Sequence, residues 1–178
     1  MTDKFNTRLL AAILKTQTEA DAEGTLSADR VRAALSGGEA LTEQERLLIW
    51  RSPDARDLYL AIRREVRADM KERVQNSGLG FAEQRLAASG GDFEEIEGRG
   101  FVVSLFCRNG TDWTVLVRLS DEYRALISPA TSVSLRDSGG LEWASGVPDS
   151  IGSFGADWAH PGETPRSRLQ NYGLRLDP

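Results

Sequence analysis

The chain has 178 residues, 40% hydrophobic and 28% charged, with a formal net charge of −5, which is enough to bury one core or two small ones. No run approaches the roughly 20 apolar residues of a membrane helix, and Met1-Thr2-Asp3-Lys4 lacks the basic-then-apolar order of a secretory signal; a cytoplasmic protein without a membrane segment is expected. One cysteine, Cys107, and one histidine, His160, exclude an internal disulfide, a cysteine-rich zinc site and a multi-histidine metal site, so neither metal nor cofactor is expected.

The first half reads as helices. Phe5, Leu9, Leu10, Ile13 and Leu14 recur at the 3.6-residue period. Ser27 is a cap for a short helix over 28–35, stopped by Gly37-Gly38. Thr42-Glu43-Gln44-Glu45 is a capping box, in which the threonine hydroxyl accepts an orphan amide hydrogen while the glutamate reaches back to the threonine amide; it predicts a helix over 42–51. Ser52-Pro53-Asp54 restarts the chain with a cap, a proline where no donor is needed, and an acid near the positive end of the helix dipole. The helix that follows, to about Gln75, carries an apolar stripe of Ala55, Leu58, Tyr59, Ile62, Val66, Met70 and Val74, with Arg56, Arg63, Arg64, Arg67, Lys71 and Arg73 on the remaining surface.

Composition shifts near residue 90. Residues 1–90 carry 14 Lys plus Arg against 14 Asp plus Glu, and residues 91–178 carry 8 against 13, so the negative excess lies in the second half. Ser89-Gly90-Gly91 and the acidic stretch from Asp92 to Gly100 read as a linker between domains over 1–90 and 91–178. Beyond it the period drops from 3.6 to 2. The segments 101–107 and 113–119 form a hairpin around Asn109-Gly110, with Trp113, Val115, Val117 and Leu119 on one face. Further strands are expected over 132–136, 141–144 and 172–176, joined in part by Asp137-Ser138-Gly139-Gly140. The expected class is α+β, an N-terminal helical domain followed by a small antiparallel β-sandwich or open barrel.

Candidate chemistry is sparse. His160, in Trp158-Ala159-His160-Pro161-Gly162, has Asp157 and Ser153 near it in sequence but no triad order. Cys107 ends an apolar strand and reads as a small hydrophobe. Glu94, Glu95 and Glu97 lack the spacing of a divalent-cation loop and read as a solvated linker. No phosphate-binding glycine motif occurs. Trp113, Trp143 and Trp158 are expected to pack in the core, with Trp158 the most exposed. The arginines of 53–75 have Glu65, Asp69 and Glu72 interleaved among them in a half of zero net charge, which disfavours nucleic acid as the partner.

Leu41-Thr42-Glu43-Gln44-Glu45, leading through Trp50 and Ser52-Pro53-Asp54 to Arg63-Arg64, resembles the cytoplasmic domain of bacterial anti-sigma factors, where a short L-[ST]-x-x-E helix leads into a longer, leucine- and arginine-rich one. Many members carry HxxxCxxC at this junction. Here Ile49, Pro53 and Arg56 occupy that spacing, so the resemblance is to the zinc-free variety, over 24 residues, and a β domain follows where typical members enter a membrane helix. It implies a non-enzymatic regulator that sequesters a protein partner, an alternative sigma factor, in a bacterial signalling or antiviral conflict system. The partner-binding residues are then Leu58, Tyr59, Ile62 and Val66, with Arg56, Arg63, Arg64 and Arg67 pairing with acids. Release would follow cleavage at the linker residue Arg99 by a protease. Two alternatives stand beside it: a β-module adaptor or ligand-binding protein with helices for oligomerisation, and a small enzyme using the loop around His160.

Overall fold

The computed structural model describes residues 26–82 and 93–178. The amphipathic segment 5–14 and the glycine pair of 89–91 lie outside the described residues. Two compact units divide the chain, Met1–Arg64 and Glu65–Pro178, and the division falls within the long helix.

In the first unit, helix α1 spans Ala28–Leu35 and α2 spans Glu43–Arg51. Both start on the expected caps. The Arg30 amide donates to Ser27 Oγ at 3.2 Å, and the capping box of α2 is complete: Glu45 N donates to Thr42 Oγ1 at 3.2 Å and Thr42 N to Glu45 Oε2 at 2.7 Å. Arg30 ties the two helices together. Its Nε and Nη2 reach Glu45 at 2.8 and 3.0 Å, and it donates to the carbonyls of Glu39 and Ala40, both at 2.7 Å. Helix α3, Pro53–Ser77, begins as predicted, with the Ala55 amide on Ser52 Oγ. Among the described residues no helix is long and apolar enough to cross a membrane.

The second unit holds two four-stranded antiparallel sheets. In spatial order one contains β1 (Phe81–Ala82), β8 (Leu174–Asp177), β5 (Val133–Asp137) and β6 (Glu142–Gly146). The other contains β2 (Phe93–Gly98), β3 (Phe101–Arg108), β4 (Asp112–Leu119) and β7 (Ser153–Asp157). Among the described residues the sheets are open and no barrel closes. Their period-2 faces supply one hydrophobic cluster, with Val103, Leu105, Val115 and Val117 from one sheet and Val133, Leu135, Leu174 and Leu176 from the other. Val74, near the end of α3, joins this cluster, so the last turns of the helix pack with the strands. Two short helices interrupt the strands, α4 (Asp121–Arg124) and α5 (Pro165–Leu169). The expected α+β class with helices first is the one observed.

The acidic stretch expected as a linker is instead strand β2, paired residue for residue with β3 from Phe93↔Phe106 to Gly98↔Phe101. Ile96 is buried opposite Val103, and Glu94, only 3% exposed, faces inward where Arg166 Nε meets its carboxylate at 3.1 Å. A charge at an inward position, neutralised by an arginine 72 residues away, hides the alternation of a strand inside an acidic composition. Arg99 likewise sits in the tight β2–β3 turn. Its amide donates to the Phe81 carbonyl and its own carbonyl accepts from Gly80 N, both at 2.7 Å, so the backbone a protease must extend is bonded on both sides.

Candidate functional site

Leu47-Leu48-Ile49-Trp50 is a run of four large apolar residues on α2, yet no residue of that helix is buried. Leu47 is 44% exposed and Trp50 78%, while Leu48 and Ile49 are half-buried. One turn separates Leu47 from Trp50, which puts both on one face. Scattered exposed apolar residues are ordinary; a tryptophan and a leucine adjoining on a helix with no buried member form a patch. The patch is held in place by the bonds around it. Ser52 N donates to the Leu48 carbonyl at 2.8 Å, closing the last turn, and Arg56 Nη2 donates to the Trp50 carbonyl at 2.7 Å. Arg46 and Arg51, both exposed, flank Trp50 on this face, and Glu43 stands two turns back.

Five of the seven stripe residues of α3 are buried. Ile62 and Val66 are 5% and 6% exposed, and Ala55, Met70 and Val74 are buried with them, while Leu58 and Tyr59 are half-buried. A partner reaches Ile62 or Val66 only if the folded chain uncovers them. Arg56, Arg63, Arg64 and Arg67 are exposed. At about 100° per residue they fall within one arc of roughly 100°, and Asp57, Glu65, Asp69 and Glu72 fall on the arc beside it, so charges interleaved in sequence separate into a basic and an acidic side of the helix. Two of these arginines have bonds within the chain: Arg56 to Trp50, and Arg67, whose Nε donates to the Pro178 carbonyl at 3.1 Å.

In the sheet unit the residues weighed for catalysis do not converge. His160 Nε2 lies 3.1 Å from the Glu142 carbonyl, an acceptor, so that nitrogen carries the hydrogen of the bond. Asp157 accepts from Thr114 Oγ1 at 2.9 Å, and Ser153 is in β7 opposite Arg118. Trp143 is buried and donates to Asp137 Oδ2 at 3.0 Å; Trp158, half-buried, meets it edge-on at 5.2 Å and donates to the Glu163 carbonyl. Trp113 is also buried, with the Arg166 guanidinium 5.7 Å above its ring. Of these three tryptophans Trp158 is the most exposed, as expected, and is half-buried. The tryptophan that is open, Trp50, lies in a helix where an apolar run reads as core. Cys107 is half-buried against the core. Among the described residues no group of three or more His, Cys, Asp or Glu side chains is placed to hold a metal ion.

No protein-family model, curated protein or solved structure matches the chain.

Proposed function

We propose that the chain is a non-enzymatic regulatory protein that sequesters a protein partner on α2, with an alternative sigma factor as the partner indicated by the resemblance of residues 41–64. The observation that carries this reading is the unburied Leu47-Trp50 patch on a helix fixed by its capping box and by Arg30. Trp50 supplies a large, rigid apolar area whose loss of freedom on binding is small. Arg46 and Arg51 beside it favour a partner surface that is apolar at its centre and rimmed by carboxylates, pairs that add specificity and on-rate more than affinity. Occlusion is the mechanism: a sigma factor held on this face has its own docking surface covered. We favour α2 over the α3 stripe for the contact, since Trp50 is exposed whereas Ile62 and Val66 are buried and Leu58 and Tyr59 half-buried.

The test is calorimetric titration of the full chain with purified sigma factors of its source. Trp50→Ala is expected to weaken the complex by about 30-fold, the size of an interface anchor worth about 2 kcal/mol, without lowering the melting temperature. Full binding by Trp50→Ala moves the interface elsewhere. Binding to no sigma factor overturns that choice of partner.

A further inference from the structure

We propose that in the free chain the exposed face of α2 is covered by the same face of a second copy, in a weak antiparallel pair that a tighter-binding partner displaces. The proposal gives the partner site its resting occupant. It rests on the partner reading for the displacement but not for the pairing itself, which stands on the residues of α2 alone.

Glu43, Leu47 and Arg51 follow one another along α2 at steps of four residues, all three exposed, and Trp50 lies beside Leu47. At about 100° per residue the four fall within an arc of roughly 100°, and Leu47 stands midway between the charges, about 6 Å of rise from each. Glu45, on another side of the helix, is engaged by Arg30 and by the capping box. By contrast, no ion pair or side-chain hydrogen bond engages Glu43 or Arg51 among the described residues. The face is therefore an apolar centre with one unspent acid at the start of the helix and one unspent base at its end.

That order is complementary to its own reverse. A two-fold axis at Leu47 sets the ridge Glu43-Leu47-Arg51 against itself running the other way, the packing of i, i+4 ridges that is commonest between helices. Leu47 then meets Leu47 of the second copy, Glu43 of each copy meets Arg51 of the other, and the two Trp50 rings flank the leucines. A parallel pair would set Glu43 on Glu43 and Arg51 on Arg51, like charges that repel, so the charges select the antiparallel order. One face of a nine-residue helix falls well short of the about 1,200 Å² buried in a stable interface. The pair is accordingly weak: it shelters Trp50 where chains are concentrated and yields to a partner that covers more.

The experiment is sedimentation equilibrium of the full chain from about 10 μM to about 1 mM, the range of a weak contact. The mass is expected to rise from that of one chain towards that of two. Leu47→Glu, which meets itself at the axis, is expected to stay monomeric throughout. Glu43→Arg and Arg51→Glu, each checked for its fold by circular dichroism, are each expected to raise the dimer dissociation constant about tenfold, two exposed ion pairs having become repulsive. An equimolar mixture of those two variants is expected to pair at least as tightly as wild type, because every facing couple is then opposite in charge again. A wild-type chain that stays monomeric, whether its face is bare or covered from within the same chain, overturns the proposal. So does pairing that survives Leu47→Glu, or a mixture that pairs no better than either charge variant alone. Chains that pair but bind no sigma factor overturn that choice of partner and leave the pairing standing; chains that bind one yet never pair do the reverse.

Discussion

Arg168 meets Asp137 on a single oxygen: Nε at 2.9 Å and Nη2 at 2.8 Å both address Oδ2, and the aspartate side chain is fully buried. Trp143 Nε1 donates to the same oxygen at 3.0 Å, and the Leu141 amide donates to Oδ1 at 3.0 Å. One carboxylate thus joins the β5–β6 turn, strand β6 and helix α5. Arg168 is held in turn by Glu163 at 2.9 Å and lies over the Tyr172 ring at 4.2 Å. Removing one member of a buried pair leaves the other uncompensated. Asp137→Ala is expected to lower stability by about 3–5 kcal/mol in urea unfolding, and Asp137→Ala with Arg168→Met is expected to cost less than the sum of the two single changes. An additive double variant would mean that the two side chains are not coupled.

Tyr123 presents the opposite case. It is wholly buried, its hydroxyl has no partner, and burial, reinforced by Asp177, pushes the phenol well above its ordinary ionisation range. Tyr123→Phe removes a desolvated polar group and keeps the ring, so unfolding free energy is expected to stay level or rise by up to about 1 kcal/mol. Tyr123→Ala opens a cavity and is expected to cost about 3–5 kcal/mol. Chemical denaturation of both variants decides it; a clear loss in Tyr123→Phe would reveal a partner for the hydroxyl.

The helical unit carries a pH dependence through Glu45. The Thr42 amide does most to hold its carboxyl below the ordinary range; burial opposes that, and Arg30 adds to the lowering. Glu142 is lowered in the same direction, first by the Ser145 hydroxyl and then by Arg136. A carboxylate with a depressed folded value binds protons more readily when unfolded, so its contribution is complete above about pH 4.3, the ordinary glutamate value, and disappears as pH falls through the lower folded value. Helicity followed from pH 6 to pH 2 should fall in that window, and Glu45→Gln, which retains a capping side chain, should flatten the part due to α2. An unchanged acid profile in Glu45→Gln would assign the transition to other carboxylates.

Trp50 and Ile62 separate surface from core. Trp50→Ala is expected to leave the melting temperature within the small range of surface changes. Ile62→Asp places an unpaired carboxylate at a position 5% exposed and is expected to cost several kcal/mol. Thermal melts by circular dichroism compare them directly; a stable Ile62→Asp would show that this stretch of the stripe is free to be uncovered.

Local signals were the legible ones. Ser27, Thr42 and Ser52 cap helices with atoms a few residues away, so their starts follow from sequence. The 101–119 hairpin follows from alternation and from Asn109 and Gly110, which take φ of 58° and 76°, a left-handed conformation that few other residues adopt without cost. Strands β2 and β7 were illegible for reasons of distance. Glu94 is acceptable inside only because Arg166 comes to it, and Gly155, which reads as a turn residue, is in β7, where an added Cβ would fall 2.6 Å from the Val115 carbonyl. The described part of the acidic stretch, 93–98, reads as solvated by composition because Glu95 and Glu97 face out from a strand whose alternate positions are buried. On the candidate site, the capping box foretells α2 but not that Trp50 is left uncovered, since exposure is decided by what the rest of the chain leaves bare.

Strand β8 lies between β1 and β5, with Phe81 opposite Arg175 and Leu135 opposite Leu176. Although it is the last strand in chain order, it occupies an interior place in its sheet, so β1 and the β5–β6 pair have no connection within that sheet until it arrives. The β2–β3–β4 meander needs no such wait, because its partners are consecutive. Synthesis from the N-terminus therefore produces the β2–β3–β4 meander early and leaves β5 with an unpaired edge at Val133 and Leu135 until residues 174–177 emerge. The interval between those two events is when newly made chains are most exposed to mispairing with one another, and a slower-translated or truncated message lengthens it.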